Sequence, residues 1–382
     1  MNDMFNGMTD GLTSSLSAPW ESLAFCLLLL VAPAIAVSQK RRWHLPSLIV
    51  GLVVALFASS GTVAYAAVAF AAIFHALDAA PQSRTGAATL AASAVIALAV
   101  AAALYFDLLT LAFGLSLLAI ALRAGVMPFH VGVASLCDHA PVVQTQQLSS
   151  TIALVFVHLR FVDHHAAAIA AGPALVRYGA VAAFTAALMT LVQKDLRGFY
   201  RGTTAMHGGM LLAGIGAASI GNFAAALLVA VTMGLALGGL GMMITSLEER
   251  VGRVMFSGPG GRVSAFPKLA AAFALFGGAG IAVPGTAGFV ADDLLLHTLW
   301  MESPTGTVAV ILSSALLAIA TLIAYSQTFL GKPASSLAPD LYLHERVVAL
   351  VLLVLLVVLG LAPGVLLEPA DAFLSGPPTG PG

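Results

Sequence analysis

Residues 267–300 read PKLAAAFALFGGAGIAVPGTAGFVADDLLLHTLW, and this stretch decides the fold. It carries only four ionisable side chains, Lys268, Asp292, Asp293 and His297. It is longer than the roughly 20 apolar residues that cross a bilayer core. Ala282-Val-Pro-Gly-Thr286 interrupts it: Pro284 lacks a backbone donor and disfavours helix in the residue before it, and Gly285 frees the turn. Carbonyls released at such a break need partners within protein or water, because lipid offers none. The stretch describes a membrane-spanning helix broken near its middle and enclosed by other helices.

The rest of the chain agrees. Of its 382 residues, 60% are hydrophobic and 9% charged, with a mean hydropathy of +1.00. A soluble domain carries about a quarter charged residues. Apolar runs fall near 20–38, 45–59, 62–79, 87–106, 109–125 and 142–161. Others follow near 173–193, 203–220, 222–246, 267–300, 306–329 and 346–366. The expected fold is an all-α, polytopic transmembrane bundle of about twelve spans.

Consecutive spans alternate in direction, so each polar break falls on one of two sides. One side collects fourteen of the sixteen Lys and Arg residues, and the other holds only Arg160 and Arg177. The positive-inside rule makes the first side cytoplasmic and places both termini outside, in a bacterial-type inner membrane. The first apolar run follows an acidic stretch with Asp3, Asp10 and Glu21, so no cleavable signal peptide is expected. A net charge of -1 gives no reason to expect nucleic acid.

A second break is expected at Met127-Pro128-Phe129-His130, just after the fifth span. Arg123 lies a few residues before it among apolar neighbours, either snorkelling to the interface or serving the interior. Asp292 and Asp293 follow the break at Pro284, project about 100° apart, and are candidates for proton exchange. His297 is one turn beyond Asp293 on the same helical face, so the pair could relay a proton or form a buried hydrogen bond. His75, Asp78, His130, His158 and His207 lie in or near other spans, where packing histidines are common but a chain of titratable stations is conceivable. The sixth span opens on Gln144, Thr145, Gln146, Gln147, Ser149, Ser150 and Thr151, a segment suited to ordered water or interhelical hydrogen bonds.

Competing chemistry is absent. Cys26 and Cys137 match no metal spacing, and no Walker loop, haem motif or His-Glu-x-x-His occurs. Asp163 with His164 and His165 reads as a solvated outer loop rather than a metal site. Neither metal nor cofactor is expected, nor an active site for covalent chemistry.

Three segments in order carry a resemblance. They are Arg123-Ala-Gly-Val-Met-Pro-Phe-His130 with Asp138-His-Ala-Pro141, Leu191-Val-Gln-Lys-Asp-Leu-Arg197 leading to Thr203-Thr-Ala-Met-His-Gly208, and Val283-Pro-Gly-Thr-Ala-Gly-Phe-Val290 with Ala291-Asp-Asp293. They resemble the antiporter-like membrane subunits shared by respiratory complex I, membrane-bound hydrogenases and multisubunit sodium/proton antiporters. The resemblance implies inverted five-helix repeats, each with a broken helix, and a central row of ionisable residues conducting protons. It puts Arg123 in the place of a mid-membrane lysine and Asp292 in that of a terminal lysine or glutamate. Met233 stands where a histidine or lysine is usual, and His75 near the place of a missing glutamate. An arginine hardly ever releases its proton, so Arg123 would tune its neighbours rather than carry.

The implied division is 1–109 for amino-terminal helices shortened relative to the family, 110–300 for the antiporter-like core, and 301–382 for carboxy-terminal helices. The expected function is a proton-conducting subunit of a multisubunit complex. Its partner would be a cytoplasmic or peripheral subunit of a quinone oxidoreductase, a hydrogenase or an inorganic-carbon-uptake system. The Ala291-Asp-Asp-Leu-Leu-Leu-His297 run resembles the carbon-uptake branch, which pairs such a subunit with a zinc protein. The alternative is a non-conducting anchor for a peripheral enzyme.

Overall fold

The computed structural model describes residues 54, 58, 60–163, 166–219, 222–336 and 338–374. The expected span at 20–38, nearly all of that at 45–59, and His164 and His165 lie outside the described residues. Regular structure among the described residues is helical, apart from a bridge pairing Asp195 with Met255.

The elements are α1 (Gly61–Ala79), α2 (Arg84–Tyr105), α3 (Leu109–Ala124), α4 (Val131–His139), α5 (Pro141–Phe161), α6 (Ala166–Leu191) and α7 (Leu196–Ala218). They continue with α8 (Phe223–Thr232), a π turn (Met233–Leu237), α9 (Gly238–Val251), α10 (Pro267–Gly280) and α11 (Ala287–Glu302). The last are α12 (Pro304–Phe329), α13 (Leu343–Leu361) and α14 (Gly364–Leu374). Among the described residues six helical segments are long and apolar enough to cross a membrane: α1, α2, α6, the α8–α9 unit, α12 and α13. By contrast α7 is buried along nearly its whole length, so it runs through the centre of the bundle.

Helix starts follow local chemistry. Ser60, Ser83 and Asp195 cap α1, α2 and α7 by accepting from the backbone N–H three residues on. Pro141, Pro267 and Pro304 stand in first turns, where a missing N–H costs nothing. Small residues set the closest helix crossing: a Cβ on Gly179 of α6 would lie 2.4 Å from the Ala213 nitrogen of α7. One on Gly209 would lie 2.4 Å from the Ala183 nitrogen.

Three interruptions shape the interior. After Ala124, Gly125 takes a left-handed φ of 70° and ends α3, and the chain turns through Pro128 before α4. After Gly280, Ala282 and Gly285 adopt φ of 60° and 89°, and the chain re-enters helix at Ala287. The third has no proline: Met233–Leu237 widens into a π turn, fully buried within the α8–α9 span. Such turns commonly mark functional positions.

The two ends of the bundle differ. One end is knitted by ion pairs between helix ends. Arg197 pairs with Glu248 at 2.5 Å, Arg201 with Asp138 at 2.8 Å, and Arg250 with Glu345 at 2.6 Å. Arg253 closes onto Asp195, and backbone bonds Leu196–Val254 and Phe256–Lys194 seal the same seam. The opposite end gathers the α2–α3, α5–α6, α7–α8 and α11–α12 connections.

Candidate functional site

Two hydrogen-bonded clusters of titratable side chains, together with two residues at the second break, occupy the interior. At the first break, Arg123 on the last turn of α3 is fully buried. Its guanidinium contacts His75 Nδ1 of α1 at 3.3 Å and donates to Ser150 Oγ of α5 at 2.8 Å. An arginine only donates, so His75 Nδ1 is the acceptor and the ring's hydrogen sits on Nε2. Gln147 Nε2 donates to the Arg123 carbonyl at 2.5 Å, tying α5 to the helix end. Arg123 Nε, Arg123 Nη1 and His75 Nε2 find no protein acceptor. Water is the acceptor that such buried N–H groups demand. The charge is also favoured where it stands, at a helix C-terminus. Asp78, one turn from His75, is buried too.

The second cluster lies at the end opposite the ion pairs. Tyr65 of α1 shares a 2.5 Å hydrogen bond with Ser116 of α3, and Ser116 contacts His158 Nδ1 of α5 at 2.8 Å. His158 Nε2 stands 3.7 Å from Asp163 Oδ1, which accepts from Ser219 Oγ at 2.8 Å. This corrects the solvated reading of Asp163: its residue is 3% exposed, because the end of α7 folds over it. Burial pushes the carboxyl up to about 7, against the opposing pull of the Ser219 hydroxyl.

Two more of the expected residues, Asp292 and His207, lie at the second break. Asp292 is half-buried on α11, and its Oδ2 accepts from Ser314 Oγ of α12 at 3.0 Å. His207 of α7 donates Nδ1–H to the Thr203 carbonyl at 3.0 Å and neighbours the Gly280 carbonyl, where α10 stops. The expected grouping of Asp292 with Asp293 and His297 does not form. Ala287, Ala291, Leu295 and Leu299 turn inward, so Asp293 and His297 face outward and are exposed. His130 stands at the residue before α4, half-buried, without a side-chain cap bond, beside exposed Pro128 and Phe129.

Sequence reasoning thus named Arg123, His75, His158, His207 and Asp292. It missed their hydroxyl partners, Tyr65, Ser116, Ser219 and Ser314, and it misread Asp163. The available signal was a hydroxyl set among apolar neighbours in the middle of a span, Ser116 between Leu115 and Leu117 being the clearest. No group of three or more His, Cys, Asp or Glu is placed to hold a metal among the described residues.

Residues 20–318 match the family described as NADH:quinone oxidoreductase/Mrp antiporter, TM. The chain belongs to this family. Subunit M of the NADH-quinone oxidoreductase of Escherichia coli is 27% identical over 206 residues, 53% of this chain and 40% of that protein. The chloroplastic NAD(P)H-quinone oxidoreductase chain 4 of Cycas taitungensis is 27% identical over 151 residues, 40% of this chain and 30% of that one. The matched segments span less than half the length of these curated relatives. A chain of respiratory complex I from Thermus thermophilus with bound NADH superposes at a TM-score of 0.79 and 23% identity, covering 93% of this chain and 85% of that one. A chain of the Mrp complex from a Dietzia species gives 0.74 at 18% identity, with 92% and 82% covered. At such identities the likeness shows the fold. In this antiporter family member, then, the all-helical polytopic architecture is shown, and Arg123 and Asp292 each sit at a broken helix within it.

Proposed function

We propose that this chain conducts protons as one subunit of a multisubunit membrane complex, with its ion-paired end in the cytoplasm. The observation that carries the reading is Asp292, an acid at membrane depth beside a helix break and hydrogen-bonded to a hydroxyl on the next helix. An acid in a membrane span is costly to keep, and such residues mark ion pathways. Residues 110–300 form the conducting core in this reading, and Asp292 holds and releases the proton. His75, His158 and His207 serve as further stations, and Arg123 acts as a fixed charge that biases them without exchanging. Membership in a family described by a quinone oxidoreductase and an antiporter supports the reading.

The ion-paired end, built from 126–141, 194–202 and 247–266, is the surface for a cytoplasmic partner. Its loops are already stitched into a platform, so docking would meet a preformed surface. A second reading, a non-conducting anchor, draws on the wholly apolar π turn at Met233–Leu237 and on the arginine at position 123. The complex reconstituted in proteoliposomes separates the two. An imposed pH gradient should drive flux reported by an internal dye, and Asp292→Asn should assemble yet abolish it. Full flux in assembled Asp292→Asn favours the anchor.

A further inference from the structure

The outward side of α11 carries Phe289, Asp293, His297 and Trp300 at one-turn spacing, all exposed, with Phe289 at 43% and Trp300 at 57%. Asp293 lies nine residues before Glu302, the end of α11 away from the ion pairs. That is about 14 Å along a helix axis, close to half of the roughly 30 Å hydrocarbon core. Lysine and arginine can snorkel from such a depth, but an aspartate side chain is too short. Neither Asp293 nor His297 has a side-chain hydrogen bond or ion pair among the described residues. A bare carboxylate and an imidazole facing lipid there are costly, so another polar surface must cover them.

The neighbouring outward faces need no such cover. Val308, Ile311 and Leu322 on α12 and Leu350, Val354 and Leu361 on α13 are apolar and suit lipid. The chain's own apolar runs at 20–38 and 45–59 are poor covers, since their only ionisable residue is Glu21, another acid.

We propose that the Phe289–Asp293–His297–Trp300 stripe seats a transmembrane helix of another subunit, which presents a Lys, Arg or His side chain to Asp293 near mid-depth. The proposal rests on the multisubunit reading above and adds the face and the chemistry of the contact. Asp292, one residue earlier, is turned to Ser314 and takes no part in it.

The test uses the complex purified from native membranes. A photoreactive amino acid replacing Phe289 should crosslink to one co-purifying subunit, on a helix with a basic residue within a turn of the crosslink. Asp293→Lys should cut recovery of that subunit at least tenfold, and exchanging its basic residue for Asp should restore it. Asp293→Leu, which suits lipid and keeps the fold, should also release it. Crosslinks to lipid alone, to residues 1–59 of this chain, or to a helix without a basic side chain would overturn the proposal. So would unchanged recovery with both Asp293→Lys and Asp293→Leu, which leaves the multisubunit reading standing. A chain that purifies with no other subunit refutes that reading as well.

Discussion

At the first break the polar groups are closed inward: Arg123 is fully buried and divides its donors between a histidine and a serine from two helices. At the second break Asp292 is half-buried and has one hydroxyl partner, while the next residue faces out of the bundle. Both breaks free backbone carbonyls, yet one stations a permanent cation beside them and the other an acid that can change charge. A side chain that never loses its proton can only set a field. In the proposed reading exchange falls to the acid, and the two regions divide the work between bias and carriage.

The largest expected effect tests that division. Asp292→Asn keeps the shape and the Ser314 contact but removes the charge, and proton flux in proteoliposomes should fall by at least an order of magnitude. Arg123→Lys keeps a cation and should retain most of that flux, whereas equal losses in the two variants would erase the distinction between the breaks. Arg123→Ala should cost about 3 kcal/mol in thermal unfolding, because it opens a cavity and strands the His75 and Ser150 groups that faced the guanidinium.

Asp163 supplies a pH test of burial away from both breaks. Its folded value of about 7 lies above the ordinary carboxylate value of 3.8. Between those values the unfolded chain gives up the proton while the folded chain keeps it, so stability falls as pH rises from about 4 to 7 and then levels. The span of about three pH units corresponds to at most about 4 kcal/mol. Asp163→Asn should flatten that slope, matching the parent below pH 4 and exceeding it above pH 7 in unfolding scans. An unchanged slope would mean the carboxyl is solvated after all. The smallest effect belongs to Ser314→Ala, which removes one hydrogen bond worth about 1 kcal/mol and should slow flux only severalfold.

Hydropathy and proline carried the fold, because a bilayer demands long apolar helices and punishes unpaired carbonyls. Thus the breaks at Pro128 and Pro284 were legible. The π turn at Met233 was not, since it contains no proline and lies in unbroken apolar sequence. The four-residue spacing of Asp293 and His297 correctly put them on one face of α11. Which face turns inward depends on Ala287, Ala291, Leu295 and Leu299, and in lipid both sides of a helix are apolar, so hydropathy loses its sense of direction. Asp163 failed for another reason. Its burial comes from Ser219, 56 positions away, and no local pattern announces that closure.

Gly360 of α13 rests directly on the second break: a Cβ there would lie 2.4 Å from the Thr286 carbonyl carbon and 2.5 Å from the Gly285 oxygen. Ribosomes deliver residues in order, so 281–286 enter the membrane long before Gly360 exists. For that interval the broken segment lacks the helix that will later lie across it. The order of synthesis favours nascent α10 and α11 lingering beside the insertion machinery, sheltered from hydrocarbon, until α13 arrives. Chains stalled before α13 should stay bound to that machinery longer than chains stalled after it.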